Sequence, residues 1–184
     1  MDLVGKLLVA MPAMQDPRFE HAVILLCAHS DDGAMGIIIN KPVQNLNFDG
    51  LLENLNITKS GDNREIVVHF GGPVERSRGF VLHSPDYKSA GTTMHIEGGY
   101  GMTGTLDVLE ALANGEGPAQ ALLALGYSGW GPGQLESEIG RNDWLTVDQN
   151  EALIFDTSDA DKWSGALRGM GIDPLSLSAT SGRA

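Results

Sequence analysis

Cysteine, aromatic residues and basic residues are all scarce in this chain of 184 residues. Its one cysteine, Cys27, cannot form an internal disulfide, and the apolar run around it predicts a buried, reduced thiol. A redox-sensing cysteine would need basic neighbours, which this run lacks. Lys and Arg total 12 against 24 Asp and Glu, so the formal net charge is −12 at pH 7. Such a field repels nucleic acid and anionic membrane surfaces and favours cationic partners.

Long hydrophobic runs are missing as well. The apolar segment at residues 7–14 is interrupted by Pro12 and lacks the basic region of a secretory signal. No run approaches the roughly 20 apolar residues that a membrane helix needs. We therefore expect a cytoplasmic protein without membrane contact. Length and composition predict a single domain over residues 1–184, with a loose tail at residues 176–184.

Apolar runs separated by turn residues predict a mixed set of strands and helices, and hence an α/β protein. Strands are predicted at residues 6–11, 21–29, 35–39, 65–70, 79–83, 92–96, 121–125 and 144–147. Helices are predicted at residues 49–55, 105–113 and 159–169, while residues 152–156 fit either type. In the second of these helices an apolar stripe is expected to face the core, formed by Leu106, Leu109, Leu112 and Ala113. At the third, the residues expected to face inward are Trp163, Leu167 and Met170. Asp31, Asp32 and Gly33 predict a tight hairpin turn between the second and third strands.

Residues 126–144 gather glycines, a proline, a tyrosine and two tryptophans around a short polar helix. We expect the preceding strand to end in a sharp glycine turn, and the helix to begin with Gly131 as N-cap and Pro132 in its first turn. Leu135 and Ile139 then face the core, and Glu138 faces solvent. The residues expected to hold this structural motif together are Gly126, Tyr127, Gly129, Trp130, Gly133 and Trp144.

Motifs along nearly the whole chain resemble those of a known family. They are Gly5-x-Leu7-Leu8-x-Ala10-x-Pro12-x-Met14-x-Asp16-x-x-Phe19, Gly33-Ala34-x-Gly36, Asn40-Lys41-Pro42, Gly71-Gly72-Pro73-Val74, Gly126-Tyr127-Ser128-Gly129-Trp130, Gly133-Gln134-Leu135-Glu136, Trp144, Phe155-Asp156, Trp163 and Gly171-Ile172-Asp173-Pro174. In this order and spacing they resemble the YqgE/AlgH family of bacterial proteins. The resemblance implies a bent, mixed β-sheet that partly closes into a barrel-like shape and is flanked by helices. Members are often labelled transcriptional regulators, and the label implies no established activity.

Glycine turns and polar residues at the ends of predicted strands form the candidate ligand site. If these turns gather at one end of the sheet, backbone N–H groups and polar side chains would line a pocket for a polar or anionic ligand. The residues of this candidate pocket are Asn40, Lys41, Gly71, Gly72, Gln134 and Glu136. The alternative is that the glycines serve only turn geometry, and that Gln134 and Glu136 bond back to the glycine turn.

Motifs that would indicate catalysis or a cofactor are incomplete. Gly99, Gly101 and Gly104 match G-x-G-x-x-G, but no acidic residue ends the following predicted strand, so we expect turn glycines and no cofactor. Ser128 lies in a near match to a nucleophile elbow in which Trp130 replaces the second glycine, which argues against a nucleophile. The five histidines (His21, His29, His69, His83 and His95) lack metal-ligand spacing, so no metal is expected.

The leading functional hypothesis is a module that binds a small molecule or a protein and acts indirectly in regulation, without catalysis. One alternative is a hydrolase or transferase that uses a pocket near Asn40, Lys41, Gln134 and Glu136. A second alternative, implied by the resemblance alone, is a transcriptional regulator. Direct nucleic-acid binding is not expected, because the few basic residues are dispersed along the chain.

Overall fold

The computed structural model describes residues 2–60, 64–88, 93–104 and 106–176. The strands are β1 Leu7–Ala10, β2 Val23–Ser30, β3 Gly33–Ile38, β4 Val68–Phe70, β5 Val74–His83, β6 Thr93–Ile96, β7 Tyr100–Thr103, β8 Ala121–Trp130 and β9 Trp144–Val147. They form a nine-stranded sheet in the order β6-β7-β5-β8-β3-β2-β1-β9, and β4 pairs with β8. The helices are α1 Phe48–Asn54, α2 Leu106–Ala113, α3 Gln134–Gly140 and α4 Asp159–Gly169, with a π-helix at Ala152–Asp156.

The sheet curls into a half-barrel whose concave face holds one core. β4 and β8 pair in parallel and the other pairs are antiparallel, so the sheet is mixed. Side chains such as Leu25, Ile37 and Leu82 meet the π-helix and α4 on this face. Next to the two edges of the sheet, Gln149 Nε2 donates to Glu97 O at 2.7 Å, so the edge regions approach each other. The predicted α/β class and the barrel-like, helix-flanked sheet are confirmed.

The convex face is covered by two further cores. Leu135 and Ile139 of α3 pack there beside Trp130 and Trp144, as the predicted amphipathic pattern requires. Helices α1 and α2 cover the remaining part through a third core. Within α2, Leu109 is buried as predicted, whereas Leu106 is 51% exposed because it lies in the first turn, away from the sheet.

The sharp turn predicted after residue 125 is wrong, because β8 continues through Gly126 to Trp130. Gly126 has φ +74, and a Cβ atom there would lie 2.9 Å from Val74 O. This left-handed residue shifts the alternation of side chains by one position. As a result Tyr127 packs on the concave face, where Leu122 and Ala124 also lie, and Trp130 packs on the convex face.

The N-cap prediction for α3 is also wrong. Gly133, with φ 70, caps the helix, so the helix begins two residues later than predicted. Gln134 Oε1 accepts from Gly131 N at 3.0 Å, so one predicted bond back to the glycine turn does form. A side-chain amide thereby satisfies a backbone N–H that precedes the helix.

Three other local predictions have clear outcomes. Asp31 and Asp32 form the hairpin turn between β2 and β3, as predicted. Gly99 lies in the turn of the β6–β7 hairpin, as expected of a turn glycine, whereas Gly101 lies within strand β7. Met170, which we expected to face inward, is 41% exposed because it follows the end of α4.

Two remaining features concern the tail and the membrane. The predicted loose tail lies outside the described residues, except for Ser176. In the part of the chain that the structure describes, no helix has the length and apolar character required to cross a bilayer.

Candidate functional site

Asn40 and Lys41, two residues of the predicted pocket, form hydrogen bonds with the backbone of the turn that precedes β2. Asn40 is 9% exposed; its Oδ1 accepts from Val23 N at 2.9 Å and its Nδ2 donates to His21 O at 2.8 Å. Lys41 Nζ donates to Glu20 O at 2.6 Å. Partial burial lowers the pKa of Lys41, against the opposing effect of the Glu20 charge. Both side chains are committed to backbone carbonyls or N–H groups of this turn.

Gly71 and Gly72 lie where β4 ends against the bend of β8. A Cβ atom at Gly71 would collide with Gly126 O, and one at Gly72 with the carbonyl of Tyr127. Gly71 O accepts from Ile38 N at 2.9 Å, so the same segment also contacts the end of β3. The backbone of Gly71 and Gly72 therefore connects β3, β4 and β8. This is a geometric role, the alternative to ligand binding that the sequence also allowed.

Gln134 and Glu136 project from α3 towards different partners. Glu136 Oε1 lies 2.5 Å from His29 Nε2, and this hydrogen bond lowers the pKa of the exposed Glu136 carboxyl. Gln134 lines a cavity beside Trp130 and Trp144 that neither Asn40 nor Lys41 lines. The structure thus separates the predicted pocket residues into a group at the start of β2 and a group on α3.

A cavity lined by several methionines lies beside the hairpin of β2 and β3. Its volume is about 610 Å³. We call it the methionine cleft; its apolar lining is Met35, Phe80, Met94, Met102 and Tyr127. Met94 is 43% exposed, whereas Met102 is buried beside Cys27, with 3.8 Å between the two sulfur atoms. Burial raises the pKa of Cys27 to about 12, so the thiol stays protonated at neutral pH. This agrees with the predicted buried thiol.

The rim of the methionine cleft is polar. It includes His29, which bonds to Glu136, together with Asp32 from the β2–β3 turn. Arg78 also lies on the rim, 5.0 Å from the centre of the Phe80 ring and 3.3 Å from Glu75 Oε2. An apolar floor with a polar, mixed-charge rim is the usual composition of a binding site.

A second cavity, of about 240 Å³, is built around Glu138 and two tryptophans. We call it the tryptophan pocket. Glu138 Oε2 accepts from Trp130 Nε1 at 2.8 Å and from Trp144 Nε1 at 2.9 Å, and Glu138 Oε1 accepts from Gln134 Nε2 at 3.0 Å. The expectation that Glu138 simply faces solvent is wrong, because the bend of β8 carries Trp130 to the convex face beside α3. The i,i+4 spacing of Gln134 and Glu138 was the sequence signal for part of this network.

A third site, missed by the sequence analysis, joins His69 of β4 to α4. Both oxygens of Asp159 lie 2.9 Å from His69 Nε2, and Lys162 Nζ lies 3.0 Å from Asp159 Oδ1. His69 Nδ1 faces Leu123 O at 3.0 Å, and Lys162 Nζ also donates to Ile39 O at 2.7 Å. These side chains lie at the floor of a cleft of about 360 Å³.

Burial and ion pairing set the charges of this cluster. Burial lowers the pKa of Lys162, and its pairing with Asp159 opposes that shift. Burial alone would raise the pKa of Asp159, but the hydrogen bond from His69 and the charges of His69 and Lys162 outweigh it and lower that pKa. Both ring nitrogens of His69 face acceptors, so neither is free to take a proton from a substrate.

Other candidate chemistry finds no support in the geometry. Ser128 is 1% exposed and its hydroxyl donates to Gly71 O at 3.2 Å, which is not the position of a nucleophile. Within the described ranges, no group of three His, Cys, Asp or Glu side chains is placed to hold a metal ion.

Comparisons with known proteins agree on one family. A family model described as AlgH-like matches residues 7–175. A UPF0301 protein of Cereibacter sphaeroides is 63% identical over 184 residues, which cover all of both chains. The solution structure of the AlgH protein from Pseudomonas aeruginosa superposes with a TM-score of 0.78 at 40% identity, over 98% of this chain and 95% of that one. A crystal structure from Corynebacterium diphtheriae, with a TM-score of 0.72, 19% identity and coverage of 98% and 93%, shares the fold.

Proposed function

Because this chain belongs to the AlgH-like family and has the fold of its Pseudomonas aeruginosa member, we propose that it is a binding module without catalysis. Its site is the methionine cleft. The partner is a protein segment whose apolar side chains enter the cleft and whose flanks are basic.

The observation that carries this proposal is the open cleft of about 610 Å³ lined by Met35, Met94 and Met102. Methionine side chains are flexible and polarizable, so such surfaces adapt to apolar groups of different shapes. Met94 remains 43% exposed, which leaves apolar area to be covered by a partner. Burying this area on binding would favour association.

Charge supports a partner with basic flanks. The chain carries a net charge of −12, and Asp32 lies on the rim of the cleft with Glu136 bonded to the neighbouring His29. The rim cation Arg78 is already paired with Glu75. Electrostatic attraction of this kind raises association rates and disfavours acidic partners.

The hydrolase or transferase alternative near Asn40, Lys41, Gln134 and Glu136 has less support, because Gln134 lines a cavity that neither Asn40 nor Lys41 lines. A different place for such chemistry is the cluster of Lys162 and Asp159. A perturbed lysine and carboxylate in a cleft are typical of active sites, and Lys162 and Asp159 are perturbed. However, Lys162 is 3% exposed and bonded to Ile39 O, and His69 has an acceptor at each nitrogen. These contacts explain the shifted pKa values as an internal ion network. An effect on transcription would follow from the protein partner.

The test uses the full chain labelled with ¹³C at the methionine methyl groups. A peptide with a leucine-rich centre and two lysines at each end is titrated in, and a second peptide carries glutamates in place of the lysines. We expect saturable shifts of the methyl signals of Met35, Met94 and Met102 with the basic peptide. The Met170 signal should not move, because Met170 lies beyond α4 and outside the cleft.

Two variants complete the test. Met94→Lys places a repelling charge in the cleft and should lower the affinity for the basic peptide by about tenfold, a change of about 1.4 kcal/mol in binding free energy. Met170→Lys adds the same charge at another exposed methionine and is the matched control. Equal weakening by both variants, or equal binding of the acidic peptide, would contradict the proposal.

A further inference from the structure

Glu138 is a carboxylate surrounded by neutral hydrogen-bond donors. Its oxygens accept from the indole N–H groups of Trp130 and Trp144 and from the amide of Gln134, at 2.8 to 3.0 Å. Among the described residues, no ion pair includes Glu138. The three donors orient the carboxylate but leave its negative charge without a counterion.

Three aromatic rings form walls of the tryptophan pocket, and two of them, Trp130 and Trp144, direct their N–H edges at this charge. Trp144 packs edge-on against Trp130, with 6.1 Å between ring centroids, and against Phe19, with 5.9 Å. All three rings line the cavity of about 240 Å³ that Glu138 also lines. Aromatic faces attract cations through the ring quadrupole, and the attraction is stronger where water is partly excluded.

The other charges at the pocket are already balanced. Arg18 Nη2 lies 2.6 Å from Asp16 Oδ2, and Arg141 Nη2 lies 3.0 Å from Asp143 Oδ2. Arg18 also lies 5.5 Å from the centre of the Phe19 ring, so one wall of the pocket already holds a cation. After these pairs are counted, the unbalanced charge at the pocket is that of Glu138.

We propose that the tryptophan pocket binds an organic ammonium group, held by the charge of Glu138 and by the aromatic walls. The cavity of about 240 Å³ suits a small head group, since drug-sized ligands occupy about 300–1,000 Å³. A metal ion is disfavoured, because no set of three ligating side chains converges in the described part of the chain. Trp130 lines both this pocket and the methionine cleft, whereas Glu138 and Trp144 line the tryptophan pocket and not the cleft, so Trp144 reports on this site specifically.

The ammonium group has two possible sources, a free small molecule and a lysine side chain of another protein. The probes are therefore choline and a short peptide with one lysine, blocked termini and no other charge. The neutral isostere of choline, 3,3-dimethylbutan-1-ol, is the control, because it keeps the shape and removes the charge. Binding by either ammonium probe supports the site, and the tighter probe identifies the source.

The readout is the indole N–H signals of the three tryptophans in a ¹⁵N-labelled chain. We expect saturable shifts at Trp130 and Trp144. Trp163 is the internal control, since its indole N–H donates to Ala10 O at 2.8 Å and its ring stacks on His21 outside the pocket.

Variants separate the charge of Glu138 from its structural bonds. Glu138→Gln keeps an acceptor for the indole groups and removes the charge, so it should lower the affinity for choline by about tenfold. Glu136→Gln removes a charge from the same helix outside the pocket and should change affinity by no more than about twofold. Melting curves of both variants establish that they are folded.

Three outcomes would overturn the proposal. One is the absence of a saturable shift with both ammonium probes. Another is equal affinity for choline and the neutral alcohol, which would make the pocket merely apolar. The third is undiminished choline binding by folded Glu138→Gln. Should Glu138→Gln fail to fold, undiminished binding of choline at high salt would overturn the proposal in its place, because salt screens the attraction to a partly exposed carboxylate.

Discussion

At the scale of single residues, Trp130 is held both by its ring and by its indole N–H. The side chain is 7% exposed, packs against Trp144 and donates to Glu138 at 2.8 Å. Trp130→Ala should therefore lower the free energy of unfolding by about 3–5 kcal/mol, measured by urea denaturation. Trp130→Phe keeps an aromatic ring and loses the N–H, so it should lower the free energy of unfolding by less than Trp130→Ala does. If the alanine variant loses under about 1 kcal/mol, the pocket does not stabilise the fold as described.

Asp159 supports a prediction about pH. Its folded-state pKa is lowered from 3.8, so its stabilising contribution is present above pH 3.8 and is lost as the pH falls through the folded-state pKa. Asp159→Asn leaves the buried Lys162 charge without its partner and should cost about 3 kcal/mol at neutral pH. The difference in unfolding free energy between wild type and variant should shrink below pH 3.8. A difference that stays constant down to the acid transition would contradict the ion network.

At the scale of elements, the bend of β8 decides which side chains reach the convex face. Gly126 has φ +74 and backbone atoms of β5 close to its Cβ position, whereas Gly133 has φ +70 with nothing within 4 Å. Gly133→Ala should therefore show only the cost of a left-handed alanine, about 1–2 kcal/mol. Gly126→Ala should lower the free energy of unfolding clearly more than Gly133→Ala does, because the backbone of β5 must also move. If denaturant unfolding shows equal losses of free energy for the two variants, β8 does not depend on the close approach of the β5 backbone to Gly126.

The predictability of elements follows from how local their causes are. The β2–β3 turn depends on Asp31, Asp32 and Gly33 themselves, so it was predicted correctly. The path of β8 depends on its pairing with β5 on one side and with β4 and β3 on the other. Glycines that usually indicate a turn were there incorporated into a strand, because tertiary pairing outweighs local preference.

At the scale of the whole molecule, charge opposes binding to nucleic acid. The net charge is −12, and ion pairs occupy many of the basic side chains: Lys6, Arg18, Lys59, Arg78, Arg141 and Lys162. We therefore predict no appreciable binding to duplex DNA, measured by fluorescence anisotropy at low salt, where electrostatic attraction is greatest. A known DNA-binding domain in the same buffer is the positive control. Micromolar, salt-sensitive binding would restore a direct regulator.

The sequence alone determined the family resemblance, the α/β class, the buried thiol of Cys27 and the acidic surface charge. These depend on composition, on periodic burial and on motifs read along the chain. Only the tertiary structure decided which polar groups meet. His69 and Asp159 are 90 positions apart, and Glu138 meets both Trp130 and Trp144 only because β8 bends at Gly126. Spacing along the chain does not encode such contacts, since they require the curl of the sheet and the packing of helices on both of its faces.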